Sequence, residues 1–441
     1  MKTTKISVSI LFNFLMAVNG TTQNPLIMDQ FTADPTARVF EGRVYVYPSH
    51  DLNCGTKWFC MKDYHVFSSG DLIDWTDHGM IVSKEKVAWV DSTRNSMWAP
   101  DCFEKDGKYY FYFPAIARGA GRRGMRIGVA ISDTPHGPFV PEPEPIQGVA
   151  GIDPNVFMDK DGQAYLYWAG FGGIRGARLK GNMLEIEGEP TEFENMPKGM
   201  KEGPFLLERD GIYYLTFPHV IKKTEALVYA TGSHPLGPFE YRGVFMDEHP
   251  SGCWTNHHSI VLFNKQWYLF YHHNDLSPNF DKNRSVRADS LFFNEDGSIK
   301  KVVPTLRGVG VTPAVNQIQI DRYSSMSDSG ASVAFLDTSD TFAGWKAVLS
   351  KKNAWIRYKS VDFGSLDFKT VQIKARSETE SALELHVGKQ GTFVSVRADI
   401  PKGPDWQIVK AKIKDLPTGV QNIGVILKSQ EPVEIDWIRF E

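Results

Sequence analysis

Three acidic residues of this sequence share a local setting that suits acid–base chemistry. Asp34 and Asp153 are each followed by proline, and Glu202 is followed by Gly203 and Pro204. A short apolar run comes next in each case, so the acidic side chain stands at the mouth of a predicted strand, where it is polar and partly sheltered. Carboxyl groups confined together cannot all ionise freely, so at least one pKa is raised and a proton donor is separated from a proton acceptor.

The stretch that follows Asp153 shows which element must hold such a side chain. Residues 156–158 and 164–168 are rich in β-forming residues, and the turn sequence Asp-Lys-Asp-Gly separates them. This pattern predicts a β-hairpin. The acidic residue is then fixed at the start of the first strand of a sheet.

The same pattern occurs five times, at intervals of about 50 to 65 residues, which is the period of propeller blades. The lead residues of the five copies are Asp34, Trp98, Asp153, Glu202 and His257. We therefore predict an all-β chain whose first part is a five-bladed β-propeller. Equivalent positions of the blades meet at one end of the central axis, so the three carboxylates are expected around one funnel. Two carboxylates of unequal pKa are the arrangement that cleaves a glycosidic bond.

Each lead residue also has a structural interpretation. A single Asp-Pro or Glu-Gly-Pro sequence is more often a turn than a site, and only the recurrence argues otherwise. Trp98 either stacks on a sugar or packs within a blade, and His257 alone is more often a hydrogen-bonded core histidine. Asp101 and Asp275 are candidates for further polar contacts.

At these motifs the chain, from about residue 29 to 312, resembles glycoside hydrolase family 43, whose catalytic domain is a five-bladed propeller. The motifs that carry the resemblance are Ala33-Asp34-Pro35, Trp98-Ala99-Pro100, Gly151-Ile152-Asp153-Pro154, Lys201-Glu202-Gly203-Pro204 and Asn256-His257-His258-Ser259. Each motif alone is a weak signal, but five motifs in this order and at the spacing of propeller blades are a specific one.

The resemblance implies a role for each of these residues. Asp34 is expected to be the general base that activates water, Glu202 the general acid, and Asp153 the carboxylate that tunes and orients the acid. The expected substrate contacts are Arg284, Trp98 and His258, with Arg287 as the alternative to Arg284. His257 is expected beside a calcium ion whose shell is completed by water, because calcium prefers oxygen ligands. No organic cofactor is expected.

The expected substrate is plant cell-wall polysaccharide, with no protein partner implied. The first expectation is an inverting, exo-acting α-L-arabinofuranosidase on arabinoxylan, and the alternative is a β-xylosidase on xylo-oligosaccharides. A catalytically silent propeller that binds glycans as a lectin is the alternative of another class, and its mark would be the loss of a carboxylate.

The composition and the N-terminal residues limit the other functional classes and the expected location of the protein. The formal charge of −3 gives no electrostatic footprint for nucleic acid. Residues 1–20 have the lysines, apolar run and small-residue end of a signal peptide, and the run is too short to span a membrane. A secreted or periplasmic protein without membrane attachment is expected. The four cysteines, at 54, 60, 102 and 253, allow three pairings.

A second domain is predicted at 314–441, after a propeller domain at 21–313. Apolar and polar residues alternate in its short runs, which indicates a β-sandwich. It is similar to carbohydrate-binding modules of family 6, but Glu434 stands where a ligand-binding asparagine usually precedes Ile-Asp-Trp. Trp345, Trp355 and Trp406 are its candidate sugar-stacking residues.

Overall fold

The computed structural model describes residues 23–121, 124–193, 196–389 and 391–441. The described chain is almost entirely β-structure, with single turns of 3₁₀-helix at Lys84–Lys86 and Thr341–Ala343. The predicted all-β class is confirmed. The predicted signal peptide at 1–20 lies outside the described residues. In the described ranges no helix has the length and apolar character needed to cross a bilayer.

The N-terminal part folds into five antiparallel sheets, numbered 1 to 5 in chain order. Their strands are β1 Phe31–Phe40, β2 Arg43–Asp51, β3 Met61–Ser69 and β4 Thr76–Ser83; β5 Asp101–Lys105, β6 Lys108–Ile116, β7 Met125–Ser132 and β8 Val140–Pro141; β9 Ile152–Met158, β10 Ala164–Gly170, β11 Gly173–Leu179 and β12 Ile186–Glu192; β13 Phe205–Arg209, β14 Ile212–Val220, β15 Glu225–Gly232 and β16 Phe239–Met246; and β17 His258–Phe263, β18 Gln266–His273 and β19 Ser285–Leu291. The predicted hairpin is confirmed, since β9 pairs with β10 from Met158 opposite Ala164.

The first strands of the five sheets contact one another in order. β1 contacts β5, β5 contacts β9, β9 contacts β13, β13 contacts β17, and β17 contacts β1. Buried hydrogen bonds reinforce these contacts: Thr36 Oγ1 donates to Pro100 O at 2.7 Å, and Ser259 Oγ donates to Pro35 O at 2.8 Å. Residues at the starts of these strands are therefore brought together.

The segment before β1 runs beside the last strand of sheet 5. Leu26 N donates to Val286 O at 2.8 Å, and Asn24 Nδ2 donates to Ala288 O at 2.9 Å. In the described residues sheet 5 has three strands, and this segment supplies hydrogen-bond partners for the outward polar groups of β19. The beginning and the end of the five-sheet region are thereby joined.

The C-terminal part consists of two six-stranded sheets around one apolar core. One sheet holds β20 Thr312–Pro313, β22 Ser325–Met326, β25 Trp355–Asp362, β27 Ser381–Lys389, β28 Thr392–Ile400 and β30 Val420–Leu427; the other holds β21 Ile318–Gln319, β23 Ala331–Phe335, β24 Trp345–Leu349, β26 Thr370–Ser377, β29 Gly403–Lys412 and β31 Val433–Phe440. Ile356, Leu385 and Val425 from the first sheet and Ile373 and Ile435 from the second are inaccessible to solvent. The alternating runs therefore form a β-sandwich. Because β20 pairs with β25, the sandwich takes up the chain from Thr312, just before the expected boundary.

The N-terminal segment also contacts the sandwich. Gln23 Nε2 donates to Tyr358 Oη at 2.6 Å, and Arg322 Nη1 donates to Asn24 O at 2.6 Å. The Arg322 guanidinium lies 3.7 Å from the centre of the Trp345 ring, which is therefore an interior cation–π partner. The two parts share a buried polar interface through residues 23 and 24.

Candidate active site

One pocket brings the three predicted carboxylates together. It encloses about 560 Å³ of empty volume, including open solvent at its mouth. Its lining residues are Asp34, Trp58, Phe59, Met61, Trp98, Ala99, Ile152, Asp153, Glu202, Trp254, Thr255, Asn256, His257 and Arg284. Acidic groups thus lie within a largely apolar and aromatic wall, the composition typical of a small-ligand site.

Asp34 and Asp153 share an unusual backbone conformation. Their φ angles are 47° and 57°, in the left-handed region that aspartate tolerates better than most residues. Strand pairing is irregular at the first site, between Ala33 and Thr36 of β1, and on β10 opposite the second. Such bulges redirect a side chain next to active sites, and here they point both carboxylates into the pocket.

Glycine fixes the position of Glu202. Gly203 has a φ of 63°, and a Cβ atom there would lie 2.5 Å from Pro218 Cδ. A larger residue would displace the loop, so glycine is required. The Gly203 amide donates to Asp153 Oδ2 at 2.9 Å, which ties the Glu202 loop to the neighbouring carboxylate.

Asp34 is held in its ionised form. Its burial is the largest single influence and would raise the pKa, but the positive charge of Arg284 together with smaller contributions, which include a hydrogen bond from Ser49, outweighs burial and lowers the pKa to about 2. Arg284 Nη1 and Nη2 donate to its two oxygens at 2.7 and 3.1 Å, and Ser49 Oγ donates to Oδ2 at 2.5 Å. Asp34 is therefore a carboxylate throughout the neutral range.

A neutral histidine supports the Asp34 backbone. The Asp34 amide donates to His272 Nδ1 at 3.0 Å, so the ring proton lies on Nε2, which faces Thr255 O at 3.0 Å. Burial lowers the pKa of His272 to about 3, so this tautomer persists at neutral pH. The ring fixes the bulge that aims Asp34.

The pKa of Asp153 is shifted in the opposite direction from that of Asp34. Its burial and the negative charges of Glu202 and Asp34 raise its pKa well above the usual range. A further carboxyl group, Glu225, lies within hydrogen-bonding reach of Glu202, and its pKa is raised first by burial and then by Glu202. Its Oε2 accepts from the Asn256 amide at 2.7 Å. At the active site the pKa of Asp34 is therefore lowered, whereas the pKa values of Asp153 and Glu225 are raised.

Arg284 has its donors directed at carboxylates. It is 2% exposed, and besides Asp34 it donates from Nε and Nη2 to Asp51 at 2.9 and 3.0 Å. Its Nη1 also lies 3.4 Å from Thr255 Oγ1. Arg284 thus lines the pocket as predicted, but its geometry suits holding Asp34 rather than binding a sugar.

The other predicted contacts divide into two groups. Trp98 and His257 line the pocket, whereas His258 does not: it is 1% exposed, and its Nε2 lies 2.7 Å from Thr216 Oγ1. The expected sugar contact of His258 disagrees with this placement, because neighbouring residues at a strand start point to opposite sides. Arg287 is paired with Asp275, and Asp101 with Arg38, all away from the pocket.

Several lining and supporting residues were not predicted. Ser49, Asp51 and Glu225 hold or adjoin the carboxylates, and Trp58 and Trp254 form exposed aromatic walls. Trp58 lies in the loop closed by the Cys54–Cys60 disulfide, so the cysteine spacing was a usable signal. The buried Cys102 and Cys253 are free thiols.

The donor set around His257 bears on the expected calcium ion. Burial lowers the pKa of His257 to about 4, so its imidazole is neutral and able to bind a metal at neutral pH. In the described part of the chain, converging ligand atoms from three His, Cys, Asp or Glu residues occur at a different place, His50, Asp63 and His65. A calcium ion at His257 fits only as an ion held by one imidazole and otherwise by water oxygens.

Comparisons with known proteins agree with this geometry. Residues 22–299 match the family "Glycosyl hydrolases family 43", and residues 325–441 match "Carbohydrate binding module (family 6)". The chain is similar to "Xylosidase/arabinosidase 43A" of Humicola insolens, with 38% identity over 62% of this chain and 98% of that protein. It is also similar to "Arabinoxylan arabinofuranohydrolase" of Paenibacillus polymyxa, with 27% identity over 91% of this chain and 71% of that protein.

A solved structure gives the same result. The crystal structure of a family 43 β-xylosidase/α-arabinofuranosidase from a compost microbial metagenome, in complex with xylotriose and in calcium-free form, matches with a TM-score of 0.58 and 37% identity, over 64% of this chain and 98% of that chain. The family match spans more than half of the sequence and includes all three pocket carboxylates. The chain therefore belongs to glycosyl hydrolase family 43 and carries a family 6 carbohydrate-binding module.

Proposed function

We propose that this protein is an exported, inverting, exo-acting α-L-arabinofuranosidase that removes arabinose from arabinoxylan, on a five-bladed propeller formed by the five sheets. Its membership of family 43 makes it a glycoside hydrolase with xylan-type substrates. The convergence of Asp34, Asp153 and Glu202 in one pocket carries the proposal. The ring of contacts between the first strands supports the blade count.

Asp34 acts as the general base. A base must be ionised before it can accept a proton from water, and Arg284 with the neighbouring polar groups lowers the pKa of Asp34 to about 2 in spite of burial. Both Asp34 oxygens are also held in position by Arg284. An attacking water on Asp34 would approach the sugar on the side opposite the departing group, which inverts the anomeric centre.

Glu202 acts as the general acid, supported by its neighbours. Asp153 and Glu225 both interact with Glu202, and burial followed by repulsion from Glu202 raises the pKa values of Asp153 and Glu225. Asp153 in addition holds the Gly203 amide, which orients the Glu202 loop. Arg284 distinguishes the base from the acid, because its donors are directed at Asp34.

The choice of arabinose rests on domain organisation. The relative named for arabinoxylan arabinofuranohydrolase aligns over 91% of this chain, including the sandwich. A β-xylosidase acting on xylo-oligosaccharides is the second candidate, because a relative of higher identity is named xylosidase/arabinosidase. A glycan-binding propeller without activity is disfavoured, since the three carboxylates are all present in the pocket.

A bound calcium ion is part of the proposal. His257 would hold it, and the ion would supply positive charge near the carboxylates and support the fold. Removal of the ion should lower Tm without altering the stereochemistry of the product. Elemental analysis of the purified protein, with chelator treatment and Tm measurement, tests this; absence of calcium and an unchanged Tm would contradict it.

Export is supported by the disulfide between Cys54 and Cys60, since such bonds persist in oxidising compartments. N-terminal sequencing of protein recovered from the periplasm or culture medium tests the proposal. A start near residue 21 is expected, and an uncut chain retained in the cytoplasm would contradict it.

Two measurements test the activity. Rates on 4-nitrophenyl α-L-arabinofuranoside should exceed those on the β-D-xylopyranoside, and arabinoxylan should release free arabinose. Proton NMR of the first sugar formed should show inverted configuration at C1. Retained configuration would mean a covalent intermediate and would contradict the role of Asp34 as a base.

A further inference from the structure

The first sheet carries a cluster of possible metal ligands apart from the active-site pocket. One ligand atom each from His50, Asp63 and His65 lies within 4.8 Å of the other two. We propose that these residues form a binding site for a divalent transition-metal ion of the zinc class. Nothing in the family assignment or in the pocket chemistry depends on this site.

The strands place the three side chains on one face. Asp63 and His65 are two residues apart on β3, so they point the same way. His50 lies between Ser49 and Asp51 on β2, whose side chains serve the pocket, so His50 points to the opposite face. The metal-ligand cluster is thus on the back of the strand that supports Asp34.

The distances between the ligand atoms are close to those of an occupied metal site. His50 Nδ1 lies 2.6 Å and His65 Nε2 3.8 Å from Asp63 Oδ1. Ligand atoms of a tetrahedral zinc ion with bonds of about 2.0–2.1 Å are about 3.3 Å apart, so movements of less than about 1 Å are sufficient. Two imidazoles and a carboxylate favour zinc, nickel or cobalt over calcium or magnesium, which prefer oxygen.

The other nitrogen of His65 provides the second observation. His65 Nδ1 is buried, has no hydrogen bond in the described structure, and lies 3.8 Å from Asp77 Oδ1. Asp77 is itself held by the Gly79 amide at 2.7 Å and by Gln30 Nε2 at 3.3 Å. A carboxylate behind a histidine is the arrangement that orients an imidazole toward a metal ion.

An ion can reach the cluster from solvent. The side chains of His50, Asp63 and His65 are 16%, 19% and 19% exposed. They are therefore fixed by the sheet yet open on one side, where water can complete the coordination shell.

The metal-ligand cluster lies beside the loop that forms part of the active-site pocket. His50 and Asp63 flank the loop of residues 52–60, which the Cys54–Cys60 disulfide closes. Trp58 and Phe59 of this loop line the active-site pocket. An ion joining β2 to β3 would clamp the base of the loop and so restrict these aromatic walls.

Cobalt binding is the direct test, on full-length protein without a histidine tag and stripped of metal. One equivalent of Co²⁺ should bind and give visible bands of a four-coordinate ion, and Zn²⁺ should displace it and raise Tm by a few degrees. Substitutions His50→Gln, Asp63→Asn and His65→Gln should each weaken binding at least tenfold. Asp77→Asn should weaken it about tenfold or more through His65.

His386→Gln is the matched control. His386 Nε2 lies 2.7 Å from Glu384 Oε1 at similar exposure but without a second histidine, so its loss should not change cobalt affinity. If a cluster variant fails to fold, the NMR spectrum of wild-type protein with Co²⁺ decides, because two shifted imidazole N–H signals are expected. Absence of stoichiometric binding, or equal affinity in the cluster variants and His386→Gln, would overturn the proposal.

Discussion

Asp153 and Glu225 at the active site and Glu434 in the C-terminal sandwich have opposite electrostatic surroundings. Asp153 and Glu225 are buried beside another carboxyl group, and burial with that repulsion raises their pKa values. In the sandwich, Glu434 accepts from Lys346 at 2.9 Å and from Arg376 at 2.6 Å. These two cations outweigh its partial burial and lower its pKa.

The difference shows that carboxyl groups which destabilise the folded state are retained at the active site. Buried carboxyl groups without cations disfavour the folded state, so stability alone would not retain them. A partly exposed carboxylate with two cationic neighbours contributes a small, ordinary stabilisation. Glu434 also stands where a ligand-binding asparagine was expected, so its ion pairs explain how this position serves the sandwich itself.

The largest expected effect is that of Asp34→Asn. The amide keeps the shape of the side chain but cannot accept a proton from water, so kcat/KM should fall about 10⁴-fold on every substrate. Steady-state rates on aryl glycosides and on arabinoxylan measure this, with circular dichroism as the folding control. A loss below tenfold would remove Asp34 from the role of base.

Glu202→Gln should have a large effect that depends on the leaving group. Natural sugar alcohols need protonation as they depart, so kcat on arabinoxylan should fall about 10²–10⁴-fold. Activated aryl glycosides with acidic phenols need little protonation and should be partly spared. A series of aryl glycosides of graded phenol pKa measures the contrast, and equal losses across the series would contradict the assignment.

Asp153→Asn should separate activity from stability. Activity should fall, because Asp153 supports the acid, while the free energy of unfolding at pH 7 should rise by about 0.5–2 kcal/mol, the usual range of stabilising substitutions. A carboxyl whose folded pKa is raised destabilises increasingly as pH rises from its unfolded to its folded pKa. The gain should therefore grow from pH 4 upward in denaturant titrations, and a gain largest below pH 4 would contradict this.

The smallest effect is expected in the sandwich. Glu434→Gln removes a carboxylate with a lowered pKa, so it should cost about 0.2–1 kcal/mol at pH 7 and nothing once acid has protonated the wild type. Rates on small glycosides should be unchanged. Denaturant titration at pH 7 and pH 3 checks this, and a stabilising effect at pH 7 would end the contrast with Asp153.

The repeated motifs predicted the all-β class and the residues that meet in the pocket, because period and turn chemistry are local properties. Asp34, Asp153 and Glu202 were found for that reason. Glu225 was not, since it begins β15 without a turn motif and reaches Glu202 only through folding of sheet 4. His258 does not line the pocket as His257 does, because two neighbouring residues of a motif need not point to the same side of a strand.

The partners of Arg284 also could not be predicted from the local sequence. Its contacts to Asp51 and Asp34 join residues 233 and 250 positions apart. A sequence pattern shows that an arginine is present, but it does not show whether its donors face solvent or a carboxylate. The same limit applies to Ser49, which is an unremarked strand residue until Asp34 is placed beside it.

The shared N-terminal segment has a consequence for biosynthesis. Asn24 pairs with Ala288, 264 residues later, and Gln23 pairs with Tyr358, 335 residues later. Because a ribosome releases the chain from its N-terminus, residues 23 and 24 must wait for partners made several hundred residues later before their hydrogen bonds can form. The five-sheet region can therefore be closed only when β19, its last strand, has been made, and the bond from Gln23 forms only after β25 of the sandwich has followed.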